Sequence, residues 1–298
     1  MNPKETKIAF IGLGLMGVPM AHNLLKAGYL VKGFDLNPNV AEKFSGITGF
    51  QLASSPTEAI EGSDVTILML PDSSIIDAML WGANGKPGVA GNLKAASYLV
   101  DMSSSSPISS RENNQKLTAL GIHFVDAPVS GGVKKAIDGS LAIIVGGQKS
   151  DFDVCLPLLE KMGKSIVYVG DAGAAHAVKA LNNYVSAAGL IAASEALNAA
   201  QKFGLDPHIV NKVFNASTGR NNSTENKVEN FMLNEAFNSG FSLALMRKDL
   251  QIALGFIESM SCYSSLAKQC VLTAQAADEQ LGKGADHTAV YGFVKSKS

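Results

Sequence analysis

The segment Gly12-Leu13-Gly14-Leu15-Met16-Gly17 constrains this chain more than any other. It is a G-x-G-x-x-G run entered from a β-rich stretch, KIAFIG, and left through a helical pattern, VPMAHNLLKAG, with Asp35 closing the next β-rich stretch, YLVKGFD. Each part has a physical task. The first glycine permits a tight turn, the second lets a pyrophosphate approach the backbone, the third lets helix and strand pack closely, and the helix start offers N–H donors to phosphate oxygens. Asp35 at this offset is placed to accept hydrogen bonds from ribose hydroxyls of an adenine dinucleotide. The bland alternatives are a glycine turn without a ligand and an Asp35 that only caps the turn into Asn37-Pro38; strand, helix and acid together favour the ligand. A carboxylate at position 35 repels a 2′-phosphate, and Leu36-Asn37-Pro38 supplies no arginine to neutralise one, so NAD is expected over NADP.

Around this motif, short apolar runs alternate with helical patterns through DVTILMLP, SYLVDMS and IHFVDAPV, and LAIIVGG and SIVYVG extend the series. Val65 to Leu70 are apolar throughout, as in strands covered on both faces. The pattern predicts an α/β Rossmann-type doubly wound parallel sheet. After Gly170 the texture changes to an Ala-rich helical stretch over 173–203, too long for a crossover, and then to helical segments as far as residue 281, with Asp206-Pro207 as a start signal. The expected organisation is residues 1–170 as a cofactor-binding domain and 171–298 as an all-α C-terminal domain for substrate binding and dimerisation, with a long interdomain helix.

Composition narrows the function classes. A net charge of −1 with no Lys/Arg run argues against nucleic acid as a partner. No stretch approaches the ~20 apolar residues of a bilayer span, and the polar MNPKET leads directly into a strand pattern, without the apolar run of a secretory leader. Cys155, Cys262 and Cys270 form no C-x-x-C pair, and the five histidines form no ligand spacing, so no metal is expected and a reducing cytoplasm is.

The chemistry signal lies in the long helix. Between Lys164 and Lys202 the only basic residues are His176 and Lys179. His176, Lys179 and Asn183 stand at i−3, i and i+4 and share a face. A lysine desolvated there acts as a general acid/base near neutral pH, with Asn183 holding the reacting hydroxyl; a lysine snorkelling to solvent is the alternative. His176 reads as a packing or supporting histidine. The loop DAPVSGG at 126–132, with Ser130, Gly131 and Gly132, has the hydroxyl and small residues to bind a carboxylate, or is an ordinary turn. Arg220, in STGRNN, suits either bidentate substrate recognition or a solvated surface.

Taken in order, IGLGLMGVPMAHNLLKAG, Met69-Leu70-Pro71, DMSSSSP, DAPVSGG, GAAHAVKALNN and MRKDL resemble the β-hydroxyacid dehydrogenases, the family of the 3-hydroxyisobutyrate dehydrogenases and tartronate semialdehyde reductases. The resemblance covers nearly the whole chain. It implies that Lys179 is the acid/base with Asn183 its partner, and that Ser130, Gly131 and Gly132 hold the substrate carboxylate. It further implies that Lys248 of the K-D-L motif lies near nicotinamide and substrate with Asp249 in support. Met69, Leu70 and Pro71 would pass under the cofactor, and Ser104 would reach the nicotinamide ribose. The expected activity is NAD-dependent oxidation of a small β-hydroxyacid by hydride transfer. The alternatives are reduction of tartronate semialdehyde or another short semialdehyde, and a non-enzymatic NAD-binding or chromatin-reading protein of the same fold. Residues 217–225, STGRNNSTE, lack the cysteine and tryptophan of a typical 3-hydroxyisobutyrate enzyme. The long apolar helix predicts a homodimer or homotetramer.

Overall fold

The computed structural model describes residues 1–297, which cluster into two compact units dividing between Lys179 and Ala180. The first unit runs β1 (Lys7–Ile11), α1 (Gly17–Lys26), β2 (Leu30–Phe34), β3 (Phe50–Leu52), α2 (Pro56–Ile60), β4 (Val65–Leu68), α3 (Ser73–Trp81) and a two-stranded hairpin of β5 (Gly82–Ala83) and β6 (Lys86–Pro87). It continues with β7 (Tyr98–Asp101), α4 (Pro107–Ala119), β8 (His123–Asp126), β9 (Val129–Ser130), α5 (Gly132–Ile137), β10 (Leu141–Gly147), α6 (Lys149–Leu159) and β11 (Gly163–Gly170). The main sheet has the order β11-β10-β8-β7-β4-β1-β2-β3, with β9 against β10.

Alternation along the strands builds a core on each face of the sheet. Ile8 and Phe10 of β1 join Met20 and Leu24 of α1 and Cys155 and Leu158 of α6 on one side. Ala9 and Ile11 join Ile60 of α2, Ile76 and Leu80 of α3 and Leu117 of α4 on the other. Strands covered on both faces explain the continuous apolar runs. The six strands from β8 to β3 are mutually parallel, and strand order reverses direction about β1, so that β1, β2, β4 and β7 all deliver their following loops to one edge of the sheet.

The strands LAIIVGG and SIVYVG do extend the sheet, but in the opposite direction, against the expectation of an all-parallel sheet. Gly146 and Gly147 of β10 pair antiparallel with Asp126 and Val125 of β8, and Ala142 and Ile143 pair with Ser130 and Val129 of β9. β8 and β9 are thus one arm, interrupted at Ala127-Pro128 where the proline has no N–H for the ladder, and β10 returns alongside all of it after the short α5.

Helix α7 (Ala174–Lys202) begins just after the sheet ends and runs 29 residues across the division between the units. The second unit continues with α8 (Pro207–Ala216), α9 (Asn222–Asn226), α10 (Leu243–Ser259), α11 (Ser265–Leu281) and α12 (Val290–Ser296). Asp206 accepts the His208 N–H at 2.9 Å with Pro207 in the first turn, as the start signal predicted. Leu190 and Leu197 of α7 pack with Met246 and Leu250 of α10, Cys270 and Ala274 of α11 and Tyr291 of α12. Among the described residues no helix is long and apolar enough to cross a membrane.

Candidate active site

The glycine motif has the local geometry that its chemistry requires. Gly12 sits at φ +96°, and a Cβ there would lie 2.3 Å from the Met69 carbonyl oxygen. A Cβ on Gly17 would lie 1.9 Å from the Gly12 carbonyl oxygen, so α1 packs on the turn itself. At Gly14 nothing lies within 4 Å of where a Cβ would be, which leaves the middle of the loop open to a ligand. Leu13 is buried, Leu15 is exposed and Met16 is partly buried. Asp35, at the end of β2, accepts the Leu13 N–H through Oδ2 at 2.7 Å and the Asn37 N–H through Oδ1 at 2.8 Å. Each carboxylate oxygen has a second lone-pair direction, so bracing the loop leaves acceptor capacity for ribose hydroxyls. The groups present therefore fit a dinucleotide: an open glycine loop before a helix N-terminus, and an acid at the end of the next strand.

The loops after β4 and β7 meet beside it. Leu70 N–H donates to Ser103 Oγ at 2.9 Å, and Met69 N–H donates to the Ile11 carbonyl at 2.9 Å. Ser103 and Ser105 are buried and both bind Asp101: Ser103 N–H to Oδ1 at 3.0 Å and Ser105 Oγ to Oδ2 at 2.8 Å. Ser104, between them, is only half-buried. Pro71 is exposed.

At the end of β8, DAPVSGG meets the lysine helix. Lys179 Nζ donates to the Val129 carbonyl at 2.7 Å, which sets the amine against the peptide that leads into Ser130, Gly131 and Gly132. Those three residues are exposed, with Gly131 at φ +129° and Gly132 at φ +68° leading into α5. One helical turn beyond Lys179, Asn183 Nδ2 donates to Asp249 Oδ2 at 2.6 Å. Asp249 is 6% exposed, and its Oδ1 is 3.9 Å from Lys248 Nζ. Thus within the second unit Asn183, Lys248 and Asp249 form one cluster. Arg220 is paired with Glu225: its side chain is 64% exposed and its Nε is 3.6 Å from Glu225 Oε1.

Sequence reasoning did not find the bond from Asp249 to Asn183, because they are 66 residues apart and only the fold joins α7 to α10. Nor did it find Asp101 or Asp126 as buried acids. The one signal for these was position, since each closes a strand ahead of a loop of interest.

A two-faced sheet with an open glycine loop and an acid closing the next strand, followed by an all-helical unit, defines an NAD(P)-binding oxidoreductase. Residues 7–170 match the model of the NAD binding domain of 6-phosphogluconate dehydrogenase, and residues 173–294 match that described as NAD-binding of NADP-dependent 3-hydroxyisobutyrate dehydrogenase. The chain is 40% identical over 252 residues to 2-(hydroxymethyl)glutarate dehydrogenase of Eubacterium barkeri, covering 84% of this chain and 82% of that one. It is 35% identical over 285 residues to 2-hydroxy-3-oxopropionate reductase of Escherichia coli K12, covering 95% of each. The solved structure of Mycobacterium tuberculosis 3-hydroxyisobutyrate dehydrogenase with L-serine superposes with a TM-score of 0.87 at 33% identity, over 97% of this chain and 99% of that one. The chain belongs to the β-hydroxyacid dehydrogenase family.

Proposed function

We propose that the protein is an NAD-dependent dehydrogenase of a small β-hydroxyacid of the 3-hydroxyisobutyrate kind, with Lys179 as general acid/base. In this reading residues 1–170 hold the cofactor and 171–298 supply substrate and subunit contacts. The single observation that carries it is the 2.7 Å bond from Lys179 Nζ to the Val129 carbonyl, because it joins the one lysine suited to proton transfer to the one loop suited to a carboxylate. A neutral lysine keeps two N–H donors and a lone pair, so the amine remains anchored on Val129 while its lone pair takes a proton. When bound, a nicotinamide would supply the acceptor for the carbinol hydride. Lys179 Nζ would take the hydroxyl proton as the alcohol carbon becomes a carbonyl.

Around that step Ser130, Gly131 and Gly132 bind the carboxylate, and Asn183 holds the hydroxyl oxygen. Its amide is oriented by Asp249, which takes one Nδ2 hydrogen and so fixes which edge of the amide faces the substrate. Lys248, beside Asp249 in the same cluster, is a further proposed substrate contact. Gly12, Gly14 and Gly17, with Leu13, Leu15 and Met16, cradle the pyrophosphate; Asp35 holds the ribose; Met69, Leu70, Pro71 and Ser104 flank the nicotinamide half. NAD is favoured because Asp35 repels a 2′-phosphate while the adjoining Leu36 is 90% exposed and offers no counter-charge. Three free thiols, two of them buried, suit a reducing cytoplasm.

The deciding experiment is initial-rate NADH formation on 3-hydroxyisobutyrate, 3-hydroxypropionate, glycerate, serine, threonate and 4-hydroxybutyrate with NAD and with NADP. A preferred hydroxyacid with NAD is the expected result; no turnover in either direction, with NAD still bound, would sink the reading. A second reading, reduction of tartronate semialdehyde, is favoured by the likeness over 95% of both chains to the E. coli reductase, and the reverse assay with NADH distinguishes it.

A further inference from the structure

His176 lies one turn before Lys179, is 1% exposed and takes no part in the chemistry above. Its surroundings are nonetheless the loops to which the proposed function gives the cofactor. The ring Nε2 is 3.1 Å from the Ser103 carbonyl. A carbonyl only accepts, so Nε2 carries a proton and donates it. Nδ1 is 2.7 Å from Ser110 Oγ on α4. The buried carboxylates of Asp101 and Asp126 flank the ring at 3.9 and 3.8 Å.

The backbone is held as firmly as the ring. Asp126, wholly buried, accepts Gly173 N–H through Oδ1 at 2.9 Å and His176 N–H through Oδ2 at 3.1 Å, pinning the first turn of α7 to the end of β8. A Cβ on Gly146 would lie 2.6 Å from Asp126 Oδ1, so the neighbouring strand is glycine where the carboxylate needs room. On the other side Ser103, which receives the ring's donor, accepts Leu70 N–H through Oγ. A continuous hydrogen-bonded path therefore runs from the first turn of the lysine's helix, through the imidazole, to Ser103 and on to Leu70.

We propose that His176 is a positioning residue that sets Lys179 in register with the nicotinamide-facing loop around Ser104, an inference that rests on the roles given to those two residues above. Hydride and proton transfer require one carbinol to be aligned with two groups, the nicotinamide and the lysine. A misplacement of about 1 Å costs such a step about 10²-fold. His176 touches neither substrate nor cofactor in this account; it acts through Ser103 and through the helix.

The test compares the full-length protein with His176→Gln, His176→Leu and Ser110→Ala. A glutamine amide can keep the donor to the Ser103 carbonyl, whereas leucine fills a similar volume with none. Three readouts are taken: emission of NADH in the binary complex, kcat against KM, and the primary deuterium isotope effect with substrate labelled at the carbinol carbon. His176→Gln is expected within about threefold of wild type. His176→Leu is expected to lose at least about tenfold in kcat with KM changed less than about threefold, to raise the isotope effect, and to shift bound-NADH emission toward that of free NADH.

A folded His176→Leu with wild-type emission and isotope effect overturns the proposal, as does a His176→Gln that loses as much as the leucine variant. If His176→Leu does not fold, Ser110→Ala decides, since it removes the Nδ1 partner, together with a bond to the Ser106 carbonyl within α4, and leaves the ring itself in place. Altered emission with a two- to fivefold lower kcat, by a rough estimate, supports the proposal, and unchanged values overturn it. Bound-NADH emission needs no substrate. A wild type that turns over no hydroxyacid would therefore overturn the proposed function while the positioning role is still decided by emission.

Discussion

An acid/base lysine must change protonation without changing place, and Lys179 is held in a way that permits this. Its donor bond to the Val129 carbonyl is kept in both states, because a carbonyl accepts equally from an ammonium and from an amine. Lys179→Ala is accordingly expected to lower kcat by at least about a hundredfold while leaving NAD affinity within about twofold, since general acid/base catalysis is worth about 10²–10⁴-fold. Steady-state kinetics beside NAD titration checks it, and near-normal turnover would remove the lysine from the mechanism. Asp35 carries a different load. It braces the glycine loop through Leu13 N–H in addition to its proposed hold on the ribose, so Asp35→Ala removes both functions. NAD binding is expected to weaken by about tenfold, or ~1.4 kcal/mol, and the ratio of NADP to NAD affinity to rise. Isothermal titration with both dinucleotides measures this, and a wild type already preferring NADP would show that the charge at position 35 does not discriminate.

Among the elements, the short turn that opens α12 carries a buried histidine and is sensitive to acid. Asp286 caps it through Thr288 N–H at 3.0 Å, and its carboxyl is held below the usual range: burial pushes it up, but hydrogen bonds from Thr288 and Ser239 and the neighbouring His287 outweigh that. His287 is pushed down from 6.5 to about 4, by burial first and then by Lys227, against the opposing pull of Asp286 and the Phe241 carbonyl. The folded state thus resists protonation that the unfolded chain accepts. Stability conferred by neutral His287 is complete above about pH 6.5 and is lost progressively down to about pH 4, on the order of 3 kcal/mol in total. The loss tied to Asp286 comes only below its ordinary 3.8, outside that window. Thermal melts between pH 7.5 and 4.5 should show wild type losing more than His287→Asn, in which an amide can replace the Nδ1 donor to the Phe241 carbonyl. Equal losses would place the acid sensitivity elsewhere.

What was legible at this level follows from how local each signal is. The turn at Gly12, the start of α8 at Asp206-Pro207 and the length of α7 are written in neighbouring residues, and all three are present as read. The direction of β10 is set by a return past Pro128 that no periodicity encodes, and the cluster of Asp101, His176 and Asp126 joins residues up to 75 positions apart in the sequence.

For the molecule as a whole, the apolar surface left uncovered bears on assembly. Val178, Leu181 and Val185 fall at i, i+3 and i+7 along α7, and Ile209 and Val213 at i and i+4 along α8, and all five are exposed. Phe203, between the two helices, is 84% exposed. Globular proteins rarely leave helical rows of large aliphatic side chains exposed unless another surface covers them. A second copy of the same rows can cover them, because a twofold axis brings identical apolar stripes face to face. Sedimentation equilibrium should therefore give a dimer or tetramer, and Val185→Glu combined with Ile209→Glu should shift it to monomer with far-UV circular dichroism unchanged, because both side chains are already in water in the single chain. A wild type that sediments as a monomer at tens of micromolar would mean that these rows serve no self-association, and a double variant that stays assembled would place the interface on another face.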